Sequence, residues 1–362
     1  DDMTALQQQG QAAKAATSVL ATAGTARKNA ALNAIADVLT ERQTEWLSAN
    51  AEDVAAAKEA GMRPAMLDRL TLTPERVAGI VDGVRQVAAL PDPIGRVDKM
   101  ETRPNGLIIG RRRVPLGVIA IIFEARPNVT VDAAALCLKS GNVCILRGGK
   151  EAIRSNRCVA ELMRQALRSV GLPEDCISLV QDTSHETANE LMHLDGYVDV
   201  LIPRGGAGLI RAVAKEASVP VIRTGEGVCH IYIDDEADLD MGASILFNAK
   251  CSRPSVCNAV ECVLVHRDVA ADFWKKALPL LDEKGVELRA DPEALEILGT
   301  RAVPAEDSDW DAEYDDYILA VKTAGGMDEA IDFINAHGTQ HSEAIITKNY
   351  FKAQHFLDHV DA

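Results

Sequence analysis

The chain has 362 residues, of which 47% are hydrophobic and 25% charged, so it is long enough for two globular domains and too apolar for a disordered protein. Its 38 basic and 54 acidic residues give a net charge of −16, which argues against nucleic acid or an anionic membrane as the partner of the whole surface. A local basic pocket for a small anion is compatible with that charge.

The first 90 residues predict several helices joined by short loops. They are rich in Ala, Leu, Glu and Arg, and apolar residues such as Leu39 and Trp46 recur at helical spacing. The segment 97–113 differs, because a turn signal at Arg103-Pro-Asn-Gly precedes Leu107-Ile-Ile. We interpret it as a β-hairpin or an extended arm, with an ordinary surface hairpin as the alternative.

From Val114 onwards, strands and helices alternate, which is typical of a doubly wound α/β sheet. The predicted strands are Val118–Phe123, Asn142–Leu146, Ile177–Val180, Val198–Ile202 and Val219–Ile222, and the predicted helices are Asp132–Lys139, 152–170, Glu186–Leu194 and one that ends at Ala217. A second β-α series begins near Cys229, so we place a domain boundary between residues 228 and 229.

The eight cysteines predict reduced thiols in a cytoplasmic protein. None forms a CxxC pair, and most lie in apolar runs, so neither a disulfide framework nor a zinc site is indicated. No run approaches the roughly 20 apolar residues of a membrane helix, and the first residues lack a signal-peptide pattern. His337 and His341 are separated by Gly338 and predict a turn into a strand, so we expect no metal site.

Cys257 is a candidate nucleophile. It follows a helical run that stops at Ser252-Arg-Pro and precedes the β-like run Val260–His266, so it is predicted to lie in a loop. Arg253 could favour the reactive thiolate. The alternative is that Cys257 is a small buried hydrophobic residue, as most free cysteines are.

Two glycine-containing loops at strand ends are candidate phosphate sites. Arg147-Gly148-Gly149-Lys150 follows one predicted strand, and Arg204-Gly205-Gly206 follows another. Glycines allow close backbone approach, and a following helix N-terminus favours an anion. Each loop alone could simply end a strand, but two at one sheet edge favour a dinucleotide crevice.

The segment Glu124-Ala-Arg126-Pro-Asn128 follows the first buried strand. The Asn128 amide could donate to a developing oxyanion, and Arg126 could hold a carboxylate or phosphate. The alternative is a helix cap at Asn128 beside a surface arginine.

Taken together, six segments resemble one known family over essentially the whole chain. They are Val114-Pro-Leu-Gly-Val, Phe123-Glu-Ala-Arg-Pro-Asn-Val, Leu146-Arg-Gly-Gly-Lys-Glu, Leu201-Ile-Pro-Arg-Gly-Gly-Ala-Gly, Arg253-Pro-Ser-Val-Cys-Asn and the stretch from His337 to Ile345. They resemble the gamma-glutamyl phosphate reductases, or glutamate-5-semialdehyde dehydrogenases, of the aldehyde dehydrogenase superfamily. The resemblance implies two doubly wound α/β domains, residues 1–228 for nucleotide binding and 229–362 for catalysis, with an oligomerisation arm at 97–113.

The resemblance also implies roles for individual residues. Cys257 matches the family's nucleophile and Asn128 its oxyanion donor, while Arg126 and Arg253 are expected to bind the substrate. The cofactor is expected at Arg147, Gly148, Gly149 and Lys150 and at Arg204, Gly205, Gly206 and Thr224. Lys150 replaces the ribose-binding glutamate of NAD-preferring relatives and therefore favours NADP.

The family's hydrolytic relatives point to one alternative assignment. Thr224, 33 residues before Cys257, falls where those relatives carry a general-base glutamate, and Glu226 would restore the base if the alignment shifts. Phe333 stands where the family usually has histidine, and we expect that the family's C-terminal segment is absent from this chain.

The activity implied is NADPH-dependent reduction of L-glutamyl 5-phosphate through a cysteine thioester, in proline biosynthesis. A homo-oligomer and an association with glutamate 5-kinase are expected, with no nucleic-acid or membrane partner. A CoA-acylating or other aldehyde dehydrogenase and a non-catalytic member of the fold are the alternatives.

Overall fold

The computed structural model describes residues 3–222 and 226–362. The chain divides into two compact units, Asp1–Thr224 and Gly225–Ala362. Each unit has its own apolar core, as the length of the chain predicts.

The first unit begins with helices and a hairpin. These elements are α1 (Ala5–Ala21), α2 (Thr25–Glu41), α3 (Gln43–Glu59), α4 (Pro64–Leu70), α5 (Pro74–Ala89), β1 (Val97–Thr102) and β2 (Ile108–Arg112). Proline at the start of α4 and α5 suits a position whose N–H has no helical partner. The strands β1 and β2 pair antiparallel and are exposed along nearly their whole length, so residues 97–113 form the predicted hairpin.

The rest of the first unit is a parallel sheet with helices. Its elements are β3 (Val118–Phe123), α6 (Pro127–Lys139), β4 (Val143–Arg147), α7 (Ile153–Ser169), β5 (Ile177–Leu179), α8 (His185–Met192), β6 (Val200–Arg204) and α9 (Ala207–Glu216). The strand order is β5-β4-β3-β6, so the chain builds outward from β3 and then returns to its other side. The carboxyl ends of β3, β4 and β6 meet at this reversal, where open α/β sheets bind ligands.

Two elements of this unit differ from the sequence prediction. Helix α6 begins at Pro127 rather than Asp132, because a proline is well placed in a first helical turn. The predicted strand Val219–Ile222 is reduced to a single parallel bridge between Val221 and Leu201. Its local sequence suits a strand, but only a short stretch lies alongside β6.

The second unit is a six-stranded parallel sheet with helices. Its elements are β7 (Cys229–Ile233), α10 (Leu239–Cys251), β8 (Val260–His266), α11 (Ala270–Asp282), β9 (Glu287–Ala290), α12 (Pro292–Leu298), β10 (Ala302–Pro304), β11 (Ile318–Ala324), α13 (Met327–His337), β12 (Glu343–Ile346) and α14 (Tyr350–His359). The strand order is β10-β9-β11-β8-β7-β12. Short 3₁₀ turns occur in both units, at Lys150–Ala152, Glu174–Cys176, Arg267–Val269, Gly299–Arg301 and Asp307–Asp311.

The pairing of β7 with β8 contains one irregularity. Cys229 lies opposite Val260, but the next residue, His230, lies opposite Cys262. Glu261 is therefore the extra residue of a β-bulge at the start of β8. Among the described residues, no helix is both long enough and apolar enough to cross a lipid bilayer.

Candidate active site

Cys257 lies in an irregular turn between α10 and β8. Helix α10 ends at Cys251, and Val256 N–H donates to the Arg253 carbonyl oxygen at 3.3 Å, which folds the chain back. Ala259 N–H then donates to the Val256 carbonyl oxygen at 3.0 Å before β8 begins. The sequence prediction of a loop at Cys257 is therefore matched by the backbone.

The exposure of Cys257 separates it from every other cysteine. Cys257 is exposed, whereas Cys158 is half-buried and the other six cysteines are buried. Burial raises the pKa of the Cys229 thiol to about 12 and also raises that of Cys251. The alternative that Cys257 is a buried hydrophobic residue is wrong, and it is the thiol that a substrate can reach most directly.

The backbone of Cys257 packs against the strand-entry segment of β7. A Cβ atom placed on Gly227 would lie 1.7 Å from the Cys257 carbonyl oxygen, so only glycine allows this approach. The Cys229 thiol lies 3.5 Å from the same oxygen and 3.7 Å from His341 Nδ1. These contacts fix the main chain of Cys257 and leave its thiol exposed. Gly227 was not among the residues predicted to act in the site, and its one signal in the sequence is its position two residues before the buried strand β7.

Arg253 is exposed in the same turn, four residues before Cys257. Within the residues that the structure describes, its guanidinium makes no hydrogen bond or ion pair. It is thus available to an anionic group of a ligand, as its predicted role in substrate binding requires.

The loop after β4 places its members differently. Arg147 Nη2 donates to the carbonyl oxygens of Thr183 and Ser184, at 2.6 and 3.0 Å, and burial lowers the pKa of this guanidinium. Gly148 is buried, Gly149 is half-buried and Lys150 is exposed. In the described part of the chain the Lys150 ammonium has no paired carboxylate. Arg147 thus braces the loop before α8, while Lys150 is free to meet a ligand.

The loop after β6 is contacted by a carboxylate, that of Glu124, which was given no role from the sequence. Arg204, Gly205 and Gly206 are exposed, and Gly206 N–H donates to Glu124 Oε2 at 3.2 Å, just before α9. A Cβ atom on Gly205 would lie 2.7 Å from the Glu124 carboxyl carbon, so glycine makes room for this side chain. Glu124 follows β3 directly, and that position was the available signal.

The carboxyl ends of the central strands bring the candidate cofactor loops close together. Ile122 pairs with Arg147, and Phe123 pairs with Arg204. The two loops therefore flank the end of β3, as the sequence predicted from two glycine loops on one sheet. An exposed Lys150 and an exposed Arg204 supply cations at an edge suited to a dinucleotide.

Asn128 and Arg126 stand at the start of α6. Arg126 is the N-cap residue, so the alternative that Asn128 caps the helix is wrong. The half-buried Asn128 instead donates through Nδ2 to Asp132 Oδ2 at 3.2 Å. Loss of solvent around Asp132 raises its pKa, and the nearby Arg204 guanidinium acts in the opposite direction.

The remaining candidate residues are not brought together at the loops described above. Thr224 lies outside the described residues, whereas Glu226 is described and half-buried. His337 is the last residue of α13 rather than part of the predicted turn, whereas His341 precedes β12, as predicted. Phe333 packs against the rings of Trp310 and His337. Within residues 3–222 and 226–362, no group of three or more His, Cys, Asp or Glu side chains has a metal-binding arrangement.

Comparison with known proteins gives a consistent result. Residues 2–293 match the model of the aldehyde dehydrogenase family. A gamma-glutamyl phosphate reductase from Lachnospira eligens is 50% identical over 364 residues, which covers 99% of this chain and 86% of the relative. One from Clostridium perfringens is 54% identical over 353 residues, with 98% and 85% covered.

Solved structures agree. The crystal structure of gamma-glutamyl phosphate reductase from Thermotoga maritima superposes with a TM-score of 0.92 at 41% identity, covering 99% of this chain and 86% of that one. A propionaldehyde dehydrogenase from Rhodopseudomonas palustris with bound propionyl-CoA gives a TM-score of 0.73 at 16% identity, over 99% of this chain and 83% of that one. At that identity the likeness supports a shared fold alone.

Proposed function

The chain belongs to the aldehyde dehydrogenase family, and within it to the gamma-glutamyl phosphate reductases, and from this premise we propose a mechanism through a Cys257 thioester with NADPH as hydride donor. It is accordingly a glutamate-5-semialdehyde dehydrogenase, which reduces L-glutamyl 5-phosphate in proline biosynthesis. The observation that carries the mechanism is the exposure of Cys257, in a turn, among otherwise buried or half-buried cysteines.

The first chemical step belongs to Cys257. Its thiolate attacks the acyl carbon of glutamyl phosphate, and the carbonyl oxygen becomes an oxyanion. Asn128 has the proposed role of donating its amide N–H to that oxyanion. The C–O bond to phosphate breaks with its electron pair, so phosphate leaves and a thioester to Cys257 remains. Arg126 and Arg253 are proposed to hold the anionic groups of the substrate.

The second step returns the thiolate. When bound, a nicotinamide cofactor would supply the hydride that the carbon of the Cys257 thioester accepts. The carbon–sulfur bond of the resulting tetrahedral adduct then breaks, sulfur keeps the electron pair, and glutamate semialdehyde is released. Cys257 is regenerated as the thiolate without a separate base.

The fold family implies a nicotinamide cofactor, and the carboxyl end of the first sheet fits one. Exposed Lys150 and Arg204 stand on either side of β3, and Gly149, Gly205 and Gly206 carry no side chains that would obstruct a ligand. We propose NADP rather than NAD, because the exposed Lys150 ammonium suits a 2′-phosphate. Arg147 would support the loop rather than contact the ligand, because it already binds two carbonyl oxygens.

We also propose that the protein forms a homo-oligomer through its hairpin and acts in the cytoplasm. The hairpin exposes large apolar side chains, including Met100 and Ile108, which suits an oligomerisation arm. Unpaired cysteines suit the reducing cytoplasm. An association with glutamate 5-kinase would pass the labile acyl phosphate directly to this enzyme. The CoA-acylating alternative is not favoured by relatives at 50–54% identity.

The test is the reverse reaction. Purified protein should oxidise glutamate semialdehyde only when both NADP⁺ and phosphate are present, and hydroxylamine should trap the acyl phosphate as a hydroxamate. Omission of phosphate is the control. Equal NADPH formation without phosphate, with free glutamate as product, would indicate a hydrolytic dehydrogenase and point to Glu226 as its base. CoA-dependent turnover would indicate the acylating alternative.

A further inference from the structure

One buried ion pair joins the two ends of the Cys257 turn. Lys250 is the penultimate residue of α10, and Glu261 is the second residue of β8. Lys250 Nζ lies 2.7 Å from Glu261 Oε2 and donates to the Val260 carbonyl oxygen at 3.1 Å. The two side chains are only 0% and 1% exposed.

The β-bulge aims Glu261 at this lysine. In a regular strand the residue would take part in the ladder with β7, but here it is the unpaired insertion between Val260 and Cys262. A bulge of this kind redirects a side chain, and bulges are common beside active sites. The irregular backbone and the ion pair therefore form a single feature, placed directly after the Cys257 turn.

Stability alone does not account for the pair. Burying two charges costs free energy that their attraction barely offsets, and apolar residues of similar volume often serve as well or better. The second carboxylate oxygen, Glu261 Oε1, is buried without a hydrogen-bond partner among the described residues. Burial raises the pKa of Glu261 to about 7, against the opposing effect of the Lys250 ammonium.

The surroundings of the pair are well defined. The Tyr314 ring lies 5.9 Å from Lys250 Nζ, and its hydroxyl donates to Asp309 at 2.8 Å. The Arg289 guanidinium also lies over the Tyr314 ring, 5.3 Å from its centroid, and donates to Asp309 Oδ1 at 2.8 Å. Lys250 is therefore held against a rigid aromatic side chain and has little freedom to leave Glu261.

We infer that Lys250 and Glu261 are positioning residues that hold the Cys257 turn in its reactive geometry. The inference rests on the proposed role of Cys257 as nucleophile. Neither side chain needs to contact the substrate, since the pair acts by fixing the residues before and after the turn. A reacting atom displaced by about 1 Å can lower a rate about 100-fold. We call the Lys250–Glu261 ion pair the clamp, because it fixes both ends of the Cys257 turn, and its loss should therefore have a large effect on catalysis.

The test compares Lys250→Met, Glu261→Gln and the double variant Lys250→Met/Glu261→Met. The double variant removes the clamp but leaves no unpaired charge, so it should fold even where a single variant does not. Lys276→Met is the matched control, because Lys276 forms an equally short 2.7 Å pair with Asp240 at the other end of α10, on the surface. Each protein is measured for its thermal midpoint, its kcat and KM, and its rate of Cys257 alkylation by iodoacetamide.

We expect the double variant to melt within a few degrees of wild type while kcat and the alkylation rate both fall by about tenfold or more. The KM for the semialdehyde should change much less, and the control should resemble wild type. Recovery of wild-type kcat and alkylation in the double variant would overturn the inference, since the pair would then serve packing alone. Alkylation reports on the turn without turnover. An alkylation rate that falls while semialdehyde oxidation proceeds unchanged would count against Cys257 as nucleophile, not against the clamp.

Discussion

At the scale of single residues, Cys257 combines exposure of the side chain with a tightly packed backbone. Its carbonyl oxygen faces Gly227 and the Cys229 thiol, while its own thiol is exposed. A nucleophile benefits from both properties, because access admits the substrate and a fixed main chain limits the positions the sulfur can adopt.

We expect Cys257→Ala to abolish turnover, with a loss of several orders of magnitude, because the covalent route disappears. The variant should still fold and bind NADPH, which intrinsic fluorescence and a thermal melt would establish. Cys251→Ala is the matched control, since Cys251 is buried at the end of α10 and should affect stability only. Appreciable semialdehyde formation by Cys257→Ala would contradict the assignment.

We expect Lys150→Glu to shift cofactor preference from NADP toward NAD. The exposed ammonium is replaced by a carboxylate that repels a 2′-phosphate and accepts a hydrogen bond from a ribose hydroxyl. The measurement is the ratio of kcat/KM for the two cofactors, expected to change by about 100-fold, or about 3 kcal/mol. Lys348→Glu, remote in sequence and in the second unit, is the control. An unchanged ratio would place the phosphate site elsewhere, for example at Arg204.

At the scale of elements, a buried charge joins a helix to segments that are distant in sequence. In the first unit, Lys28 on α2 is almost fully buried and donates to Asp92 Oδ1 at 2.8 Å and to the Lys139 carbonyl oxygen at 3.0 Å. This joins α2 to the end of α6 and to the segment that leads into the hairpin. An unpaired Lys28 would be costly, so the contact makes Asp92 important for stability.

We expect Asp92→Asn to lower the free energy of unfolding by about 2 kcal/mol near neutral pH. Burial would raise the pKa of Asp92, but hydrogen bonds from Lys28, Thr25 and the Ile94 N–H outweigh it and the pKa is lowered. A carboxyl whose folded-state pKa is depressed stabilises above its unfolded pKa and loses that contribution as pH falls through the folded value. The wild-type advantage should therefore be complete near neutral pH and shrink as the pH falls below about 5.

Urea unfolding at several pH values measures this difference. Asp240→Asn is the control, because Asp240 pairs with Lys276 at the surface and should cost little at any pH. A constant difference between wild type and Asp92→Asn across the acid range would show that the side chain acts through packing and not through its charge.

At the scale of the whole molecule, the net charge and the exposed hairpin act in opposite directions on assembly. A net charge of −16 makes copies of the chain repel one another. The hairpin offers apolar side chains that are largely exposed, with Ile108 at 64% and Met100 at 65%. An apolar interface that overcomes repulsion should strengthen when salt screens the charges.

We expect a homo-oligomer whose population rises with ionic strength, and we expect Ile108→Glu to shift it toward the monomer. Analytical ultracentrifugation at low and high salt gives both results. Ile297→Glu is the matched control, because Ile297 is an exposed isoleucine on α12 of the second unit and is not part of the hairpin. If both glutamate variants assemble like wild type, the hairpin is not the interface.

The sequence by itself indicated most of the strands and helices between Val118 and His266, and it indicated which residues are candidates for chemistry. The buried run Val118–Phe123, the turn at Cys257 and the glycine loops after β4 and β6 follow from local periodicity, turn residues and strand ends, which depend on near neighbours. The family resemblance, carried by short motifs, was likewise present in the sequence.

Only the tertiary structure decided the features that depend on distant pairing. The order of strands in each sheet, the reduction of Val219–Ile222 to one bridge and the shift at Glu261 arise from which strands lie side by side. The contact of Glu124 with Gly206 joins residues far apart in sequence, and the burial of the Lys250–Glu261 pair depends on the elements packed around it. Hydrophobic periodicity records which face of an element is buried but not which partner covers it, so these contacts had no local signal.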